Sequence, residues 1–149
     1  MEKKNTIKGI IGVVSDIISV DEKYETAVEI ALGGNIQNIV TDTSATAKKL
    51  VEYLKANKLG RATFLPISDI TADADYDSSL GKEKGVLGPV SDFVKTKKEY
   101  SEIIKYLMGR FILVDNIDNA LALAKKYRHT LRIVTLEGEF LNVGGSISG

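Results

Sequence analysis

The side chains that could act as catalytic nucleophiles or bases are few in this chain. Its 149 residues contain one histidine, His129, and no cysteine. Thiol chemistry and thiolate zinc sites are therefore excluded. A serine nucleophile needs a base within hydrogen-bond reach, and no recognisable motif supplies one to the candidate serines, which are Ser15, Ser91, Ser146 and Ser148. His129 follows basic residues at the end of a predicted helix, so we expect it at the surface.

Sites for a metal ion or a phosphate group are equally poorly supported. The acidic residues Asp73, Asp75 and Asp77 alternate along the chain, but the remaining ligands of a calcium loop are missing. The glycine-rich ending, residues 144–149, lacks the lysine and the following helix of a phosphate-binding loop. The sequence therefore predicts no catalytic residue, no metal site and no cofactor.

Two glycine pairs are the features that point to a function. The pair Gly33-Gly34 precedes a strand-like run, and the pair Gly144-Gly145 opens the closing motif. A helix C-cap explains Gly33, but Gly34 is additional. Glycine lets two backbones approach where a Cβ atom would collide, so we interpret both pairs as parts of a contact surface. For the closing motif, a flexible glycine-serine tail is the alternative.

An internal repeat organises the elements that would position these glycines. Sliding the sequence by 76 positions aligns residues 12–33 with 88–109, and after two short deletions residues 39–65 align with 112–136. The later matches include Arg61 with Arg132 and Leu65 with Leu136. We therefore predict two related halves, residues 8–67 and 86–149, joined by a connector over residues 68–85.

Hydrophobic spacing predicts two helices in each half. Residues 24–32 and 100–108 follow the i, i+3, i+4, i+7, i+8 pattern of an amphipathic helix, and shorter patterns occupy residues 47–54 and 120–127. The expected N-caps are Thr43 or Ser44 and Asp115 or Asn116. Gly33 and Gly109 are predicted to be left-handed C-caps of the first helix in each half.

Runs of β-branched and apolar residues predict the strands. These runs are residues 36–41, 61–65, 111–114 and 131–136. Residues 137–139, Glu-Gly-Glu, predict a tight turn that returns the chain toward the closing motif. The predicted fold class is α+β, built from two βαβ-type subdomains, and the length allows either one good core or two small ones.

The charge balance excludes a strongly basic or acidic protein, because 20 basic and 20 acidic side chains give a net charge of zero. Residues 81–149 nevertheless carry eleven basic and eight acidic side chains. The basic cluster consists of Lys82, Lys84, Lys95, Lys97 and Lys98. Such a cluster is usually a solvated face. No apolar run approaches the roughly 20 residues of a membrane span, and the N-terminus is not that of a secretory signal, so we expect a cytoplasmic protein.

These features resemble the hinge domain of structural maintenance of chromosomes (SMC) proteins, in its prokaryotic homodimeric form. The matching stretches are residues 12–18 (GVVSDII), 24–40 (YETAVEIALGGNIQNIV), 60–66 (GRATFLP) and 144–149 (GGSISG). The alanine-rich helix that runs into Gly-Gly-Asn-Ile-Gln and the closing glycine-serine motif, in this order and spacing, are specific. Together the stretches extend over nearly the whole chain.

The resemblance implies a non-catalytic domain that lies between the two strands of a long coiled coil, whose far end carries an ATPase head. Two hinges would associate through both ends into a ring-like homodimer. The whole molecule would condense and segregate chromosomes on the nucleoid with accessory segregation subunits. By position, the implied contact residues, at strand edges of the two chains, are Gly33, Gly34, Asn35, Gln37, Gly144, Gly145, Ser146, Ile147, Ser148 and Gly149.

The family also implies weak DNA binding without sequence preference. The candidate residues are the basic cluster together with Lys3, Lys4 and Lys8. The chain departs from the family pattern at its ends, because no heptads flank it and the glycine that usually follows Gly149 is missing, so we expect an excised hinge. The alternative hypothesis is a duplicated regulatory domain that binds a small molecule at the seam between its halves.

Overall fold

The chain folds into short strands and helices that alternate, which confirms the predicted α+β class. The computed structural model describes residues 8–72 and 76–149, so Lys3, Lys4, Asp73 and Asp75 lie outside the described residues. The strands are β1 (Ile10–Val13), β2 (Ser19–Val20), β3 (Ile39–Thr41), β4 (Phe64–Pro66), β5 (Val86–Pro89), β6 (Val94–Lys95), β7 (Phe111–Val114), β8 (Arg132–Thr135), β9 (Phe140–Leu141) and β10 (Ile147–Ser148). The α-helices are α1 (Glu25–Leu32), α2 (Ser44–Ala56), α3 (Ser101–Met108) and α4 (Ile117–Lys126).

Both halves use the same strand arrangement. β3 and β4 run parallel, and so do β7 and β8. β1 pairs antiparallel with β3, and β5 with β7, and each pair has a register shift next to a glycine, Gly12 or Gly88. The second half adds β9 and β10 beyond β8, so the two larger sheets have the orders β1-β3-β4 and β10-β9-β8-β7-β5. The short pair of β2 with β6 links the halves.

The strand register corrects the predicted alignment at the end of each half. Ile39 pairs with Phe64, and the equivalent Ile112 pairs with Ile133. Leu65 is therefore equivalent to Val134, and the predicted matches of Leu65 with Leu136 and of Arg61 with Arg132 are both wrong by two residues. The second half omits more of the loop before its last parallel strand than similarity of side chains suggests.

The outer helix of each half begins with a predicted N-cap. The caps are Thr43 for α2 and Asn116 for α4. In the first half, Asp42 accepts a hydrogen bond from Thr46 Oγ1 at 2.6 Å, and this bond lowers the pKa of the Asp42 carboxyl below its usual value. An aspartate-asparagine pair at the equivalent positions of the second half makes the same contact. The repeat therefore extends to the hydrogen bonds that start these helices.

A layer of two helices, α1 and α3, is buried between the larger sheets. The main core cluster joins Leu32 of α1, Ile103 and Met108 of α3, Val40 of the first sheet and Val134 of the second. α1 also contacts β8, which belongs to the other half. Outside this layer, α2 packs on β3 and β4, and α4 packs on β7, β8 and β9. The sequence allowed either one good core or two small ones, and in the structure the two halves share one main core.

The strand predicted over residues 36–41 is shorter than expected. Only β3 is extended, and residues Gly33–Gln37 form a 3-10 turn instead. Asn38 closes this turn, since its main-chain N–H donates to the Asn35 carbonyl at 3.0 Å and its side-chain amide donates to Asn35 Oδ1 at 2.7 Å. Local hydrogen bonds of this kind compete with strand formation. The strand predicted over residues 61–65 likewise begins later, at Phe64.

The two predicted C-cap glycines behave differently. The prediction for Gly33 is only partly right, because its φ of +53° is positive but its ψ of −134° lies outside the left-handed helical region. The same prediction for Gly109 is wrong, because its φ is −66°. A Cβ atom at Gly109 would lie 2.5 Å from the Lys105 carbonyl oxygen, whereas a Cβ atom at Gly33 would have nothing within 4 Å. Glycine is needed at the second site for space rather than for backbone conformation.

Truncating a side chain in the shared core tests whether the halves unfold together. Ile103 is 1% exposed in the main cluster, so we expect Ile103→Ala to lower the free energy of unfolding by about 2–5 kcal/mol. Because both sheets pack on the same layer, unfolding should remain one transition when followed by circular dichroism and by tyrosine fluorescence. Leu59→Ala is the control, since Leu59 is 58% exposed. Two separate transitions in the Ile103 variant would contradict a shared core.

Candidate protein–protein interface

The first glycine pair lies on an exposed turn with open space beside it. Gly33 and Gly34 begin the 3-10 turn after α1, rather than lying on a strand edge as predicted. A Cβ atom added to either glycine would meet no atom of residues 8–72 or 76–149 within 4 Å. At Gly34 the backbone φ is also outside the left-handed region, so neither space nor backbone conformation inside the chain requires glycine there. Asn35 and Gln37 are exposed on the same turn.

The closing motif is an ordered part of the second sheet, so the flexible-tail alternative is wrong. Ile147 and Ser148 form β10, which pairs antiparallel with β9. The N–H of Gly144 donates to the carbonyl of His129 at 2.8 Å. A Cβ atom at Gly145 would lie 3.8 Å from the His129 ring. His129, predicted to be an ordinary surface residue, therefore anchors the start of this motif.

The outer edges of the larger sheets differ in whether they can accept another strand. The edge strands are β1 and β4 in one sheet and β5 and β10 in the other. Register shifts interrupt the pairing of β1 and β5 with their neighbours. Bulges of this kind twist an edge and discourage further pairing. The registers of β4 and β10 run without a shift, so these two edges are the ones suited to strand addition.

The hydrogen bonds of β4 define which main-chain groups face its free edge. Ile39 donates to the Thr63 carbonyl and Ile67 donates to the Thr41 carbonyl, each at 2.9 Å. Since successive residues of a strand alternate, Phe64 directs its N–H and C=O groups away from β3. The other outward residue, Pro66, has no N–H, and its carbonyl accepts from the turn that follows. The free edge of β4 is therefore short and centred on Phe64.

β10 offers a matching edge. Asn142 donates to the Ser146 carbonyl at 2.9 Å, and Ser148 is opposite Phe140. Alternation then directs the main-chain groups of Ile147 away from β9. The side chain of Ile147 is 56% exposed, which is unusual for a large apolar residue. β10 thus presents one outward residue with unpaired main-chain groups and an exposed apolar side chain.

The five lysines of the basic cluster lie on different elements. Lys82 and Lys84 flank the end of a 3-10 turn before β5, and Lys95 belongs to β6. Lys97 and Lys98 precede α3. Lys95 Nζ lies 3.0 Å from Asp21 Oδ1, with 69% and 63% of the side chains exposed, so this ion pair contributes little to stability.

Two carboxylates close to Lys82 in the sequence, Glu83 and Asp77, make side-chain hydrogen bonds. Glu83 binds Lys126 at 2.6 Å, and this hydrogen bond raises the pKa of the Lys126 ammonium group. Asp77, a residue of the acidic run, accepts from the Ser79 hydroxyl at 2.6 Å, which lowers the pKa of its carboxyl. Within residues 8–72 and 76–149, no cluster of three or more histidine, cysteine or acidic side chains could hold a metal ion. None of the described helices is long and apolar enough to cross a bilayer.

The duplicated fold, the open glycine turn and the two unbulged edges define a class of protein: a duplicated α+β domain that presents open main-chain edges. Residues 7–124 match the family model described as SMC proteins Flexible Hinge Domain. Because this match covers most of the chain, the chain belongs to the SMC hinge family.

Relatives of known sequence support the assignment. The chain is 40% identical over 152 residues to the chromosome partition protein Smc of Lactiplantibacillus plantarum and 41% identical over 153 residues to that of Bacillus subtilis. Each comparison covers 100% of this chain and 13% of the relative. The chain therefore spans only about an eighth of the length of these relatives.

Solved structures agree with the fold. The Geobacillus stearothermophilus SMC hinge domain, solved as an asymmetric dimer, gives a TM-score of 0.91 at 34% identity, covering 99% of this chain and 62% of that chain. The Pyrococcus furiosus SMC hinge domain gives 0.81 at 34% identity, covering 99% and 75%. These matches favour the hinge family over a duplicated regulatory domain.

Proposed function

We propose that this chain is the homodimerisation hinge of a chromosome-organising SMC protein. The observation that carries the proposal is the pair of complementary open edges, β4 in the first half and β10 in the second. Phe64 on one edge and Ile147 on the other each direct a donor and an acceptor outward. The similar Geobacillus hinge was solved as a dimer, which supports association of this chain with a second copy.

A two-fold axis would use each edge once in each protomer. β4 of one protomer would pair with β10 of its partner, and the second contact would repeat the first. Such pairing extends a sheet by strand addition, in which main-chain hydrogen bonds supply affinity. The turn at Gly33 and Gly34 and the turn at Gly144 and Gly145 would lie beside these contacts, where the absence of side chains lets the partner approach. Asn35, Gln37, Ser146 and Ser148 would contribute polar groups at the rim.

The longer protein would use this contact to join two arms. Since the chain is about an eighth of the length of its Smc relatives, we propose that coiled-coil arms flank it and that a distant ATPase head completes the molecule. The dimer would then connect two heads, act in chromosome condensation and segregation at the nucleoid, and work with accessory segregation subunits.

Weak binding of DNA is a second proposed activity. Lys82, Lys84, Lys95, Lys97 and Lys98 are all exposed and would contact phosphate groups without reading sequence. The Lys95–Asp21 ion pair is solvent-exposed, so a phosphate group can replace the carboxylate at small cost.

Gly34 provides a clean test of the dimer contact. Neither backbone strain nor a clash inside the chain opposes a side chain at this position, so Gly34→Leu should change stability by no more than about 0.5 kcal/mol. In the partner's path, however, the same side chain should block association. We expect sedimentation equilibrium to show a shift from dimer toward monomer. The melting temperature of the monomeric protein should be unchanged.

A second glycine serves as the matched control. Gly81 also lacks a positive φ, and a Cβ atom there would have open space around it, but it lies in the 3-10 turn before β5, away from the proposed contact. Gly81→Leu should leave the dimer intact. Equal dimer masses for the two variants would show that Gly34 is not at the contact.

The main-chain character of the contact is tested at Ile147. Its N–H points away from β9, so Ile147→Pro removes no hydrogen bond inside the chain but removes the donor offered to the partner. We expect the proline variant to be a folded monomer by light scattering. Ile147→Ala keeps the donor and should retain most of the dimer. If the alanine variant dissociates as fully as the proline variant, apolar burial rather than main-chain pairing holds the protomers together.

DNA binding is tested through its dependence on salt. Replacing Lys82, Lys97 and Lys98 by glutamine should weaken binding to duplex DNA and reduce the slope of log K against log salt concentration by roughly 0.9 for each lysine that neutralises a phosphate group. Fluorescence anisotropy at several salt concentrations measures this slope. Replacement of Lys48 and Lys49, which are exposed on α2, is the control. An equal effect in the control would indicate general charge rather than a site.

A further inference from the structure

A cleft of about 340 Å³ opens at the seam between the two halves. Asn38 and Thr63 of the first half line one side, and Tyr106, Arg110 and Arg132 of the second half line the other. The cleft lies at the amino ends of the parallel strand pairs, where the layer formed by α1 and α3 leaves space between the sheets. Its volume is at the lower end of the range of small-molecule sites.

Equivalent positions of the repeat form the two sides of the cleft. Phe111 pairs with Arg132 across β7 and β8, and the preceding register places Asn38 and Thr63 at the equivalent points of β3 and β4. Arg132 is two residues before the buried Val134, so it lies on the inner face of its sheet. The repeat is thus preserved in the backbone but not in chemistry, since one side is uncharged and polar and the other is cationic and aromatic.

The cationic side has the groups that recognise phosphate. An arginine guanidinium presents a planar fork of donors that matches two phosphate oxygens. Arg132 supplies one such group on the inner face, and Arg110, which also interacts elsewhere in the chain, lies on the same wall. Among residues 8–72 and 76–149, no acidic side chain lines the cleft, so Arg132 is the group of this wall that we assign to a phosphate.

Tyr106 supplies a surface for a planar ring. Its side chain is 54% exposed, although Leu107, its neighbour on α3, is buried. An exposed aromatic ring beside an arginine can stack on a flat ligand. The side-chain amide of Asn35 also lies at the cleft, where its oxygen is held by Asn38 and its N–H groups can donate to a ligand.

We propose that the seam cleft binds a small phosphorylated ligand of mononucleotide size, with its phosphate on Arg132 and its planar ring on Tyr106. A free nucleotide and a nucleotide unit at the end of a single strand share this chemistry. The proposal adds a ligand site to the hinge, and because Leu65 of β4 and Asn35 line the cleft, it requires that a partner paired with β4 leaves the cleft open.

The test is titration of the purified protein with adenosine 5′-monophosphate, followed by NMR of the side-chain amides of Asn35 and Asn38. We expect shifts of these signals that saturate. Adenosine and inorganic phosphate, used separately, should each bind at least tenfold more weakly, because each makes half of the contacts. A thymidine oligonucleotide with a 5′-phosphate forms a second arm, and its binding shows whether the cleft also accepts a strand end.

Variants separate this site from general charge and from the dimer contact. Arg132→Gln and Tyr106→Ala should each weaken nucleotide binding about tenfold, Tyr106→Phe should restore it, and Arg128→Gln, an exposed arginine outside the cleft, should have no effect. Dimer mass is measured on the same samples. Binding that is absent, or that Arg132→Gln leaves unchanged, would overturn the proposal. Loss of the dimer in either cleft variant would do the same, since the cleft would then belong to the protomer contact.

Discussion

The fold depends on burial of one helical layer by two sheets. α1 and α3 present apolar stripes whose innermost residues, among them Leu32 and Met108, are almost completely buried. Neither sheet covers these stripes alone, because α1 contacts β8 of the other half and both helices join one core cluster. Burial of apolar surface is the dominant favourable term in folding, so separating the halves would expose most of what stabilises them. The duplicated sequence therefore folds as one unit.

This layered arrangement determines where a partner can attach. Helices cover the inner and outer faces of both larger sheets, so contact through a sheet face is already used. What remains are the edges, and bulges at Gly12 and Gly88 make two of the four unsuitable. Of the other two, β4 ends in Pro66, which limits pairing to a short segment around Phe64. A contact made of so few main-chain groups is weak by itself, and the proposed two-fold dimer would use it twice.

Local features of this molecule are easier to predict from sequence than the connections between them. Apolar spacing and the caps Thr43 and Asn116 identify the helices, and Gly34 is identifiable because the second half has no equivalent glycine. The loop before β8 carries no local signal, so the predicted alignment is wrong there by two residues. The turn after α1 is missed because a side-chain bond between Asn35 and Asn38 outweighs the strand preference of the intervening isoleucine. The free edges depend on which strands pair, and the cleft depends on how the halves pack. A local sequence pattern predicts neither the pairing nor the packing.

Duplication explains the different character of the seam and of the outer edges. Repeated backbones meet at the seam in equivalent positions, so that a difference between halves there, such as Thr63 opposite Arg132, creates an asymmetric cleft. At the outer edges the halves differ in length instead, because β9 and β10 extend only the second sheet. That extension gives the second half an outer edge, β10, that has no equivalent in the first half. Two identical chains could then pair β4 of each with β10 of the other and so form a closed dimer.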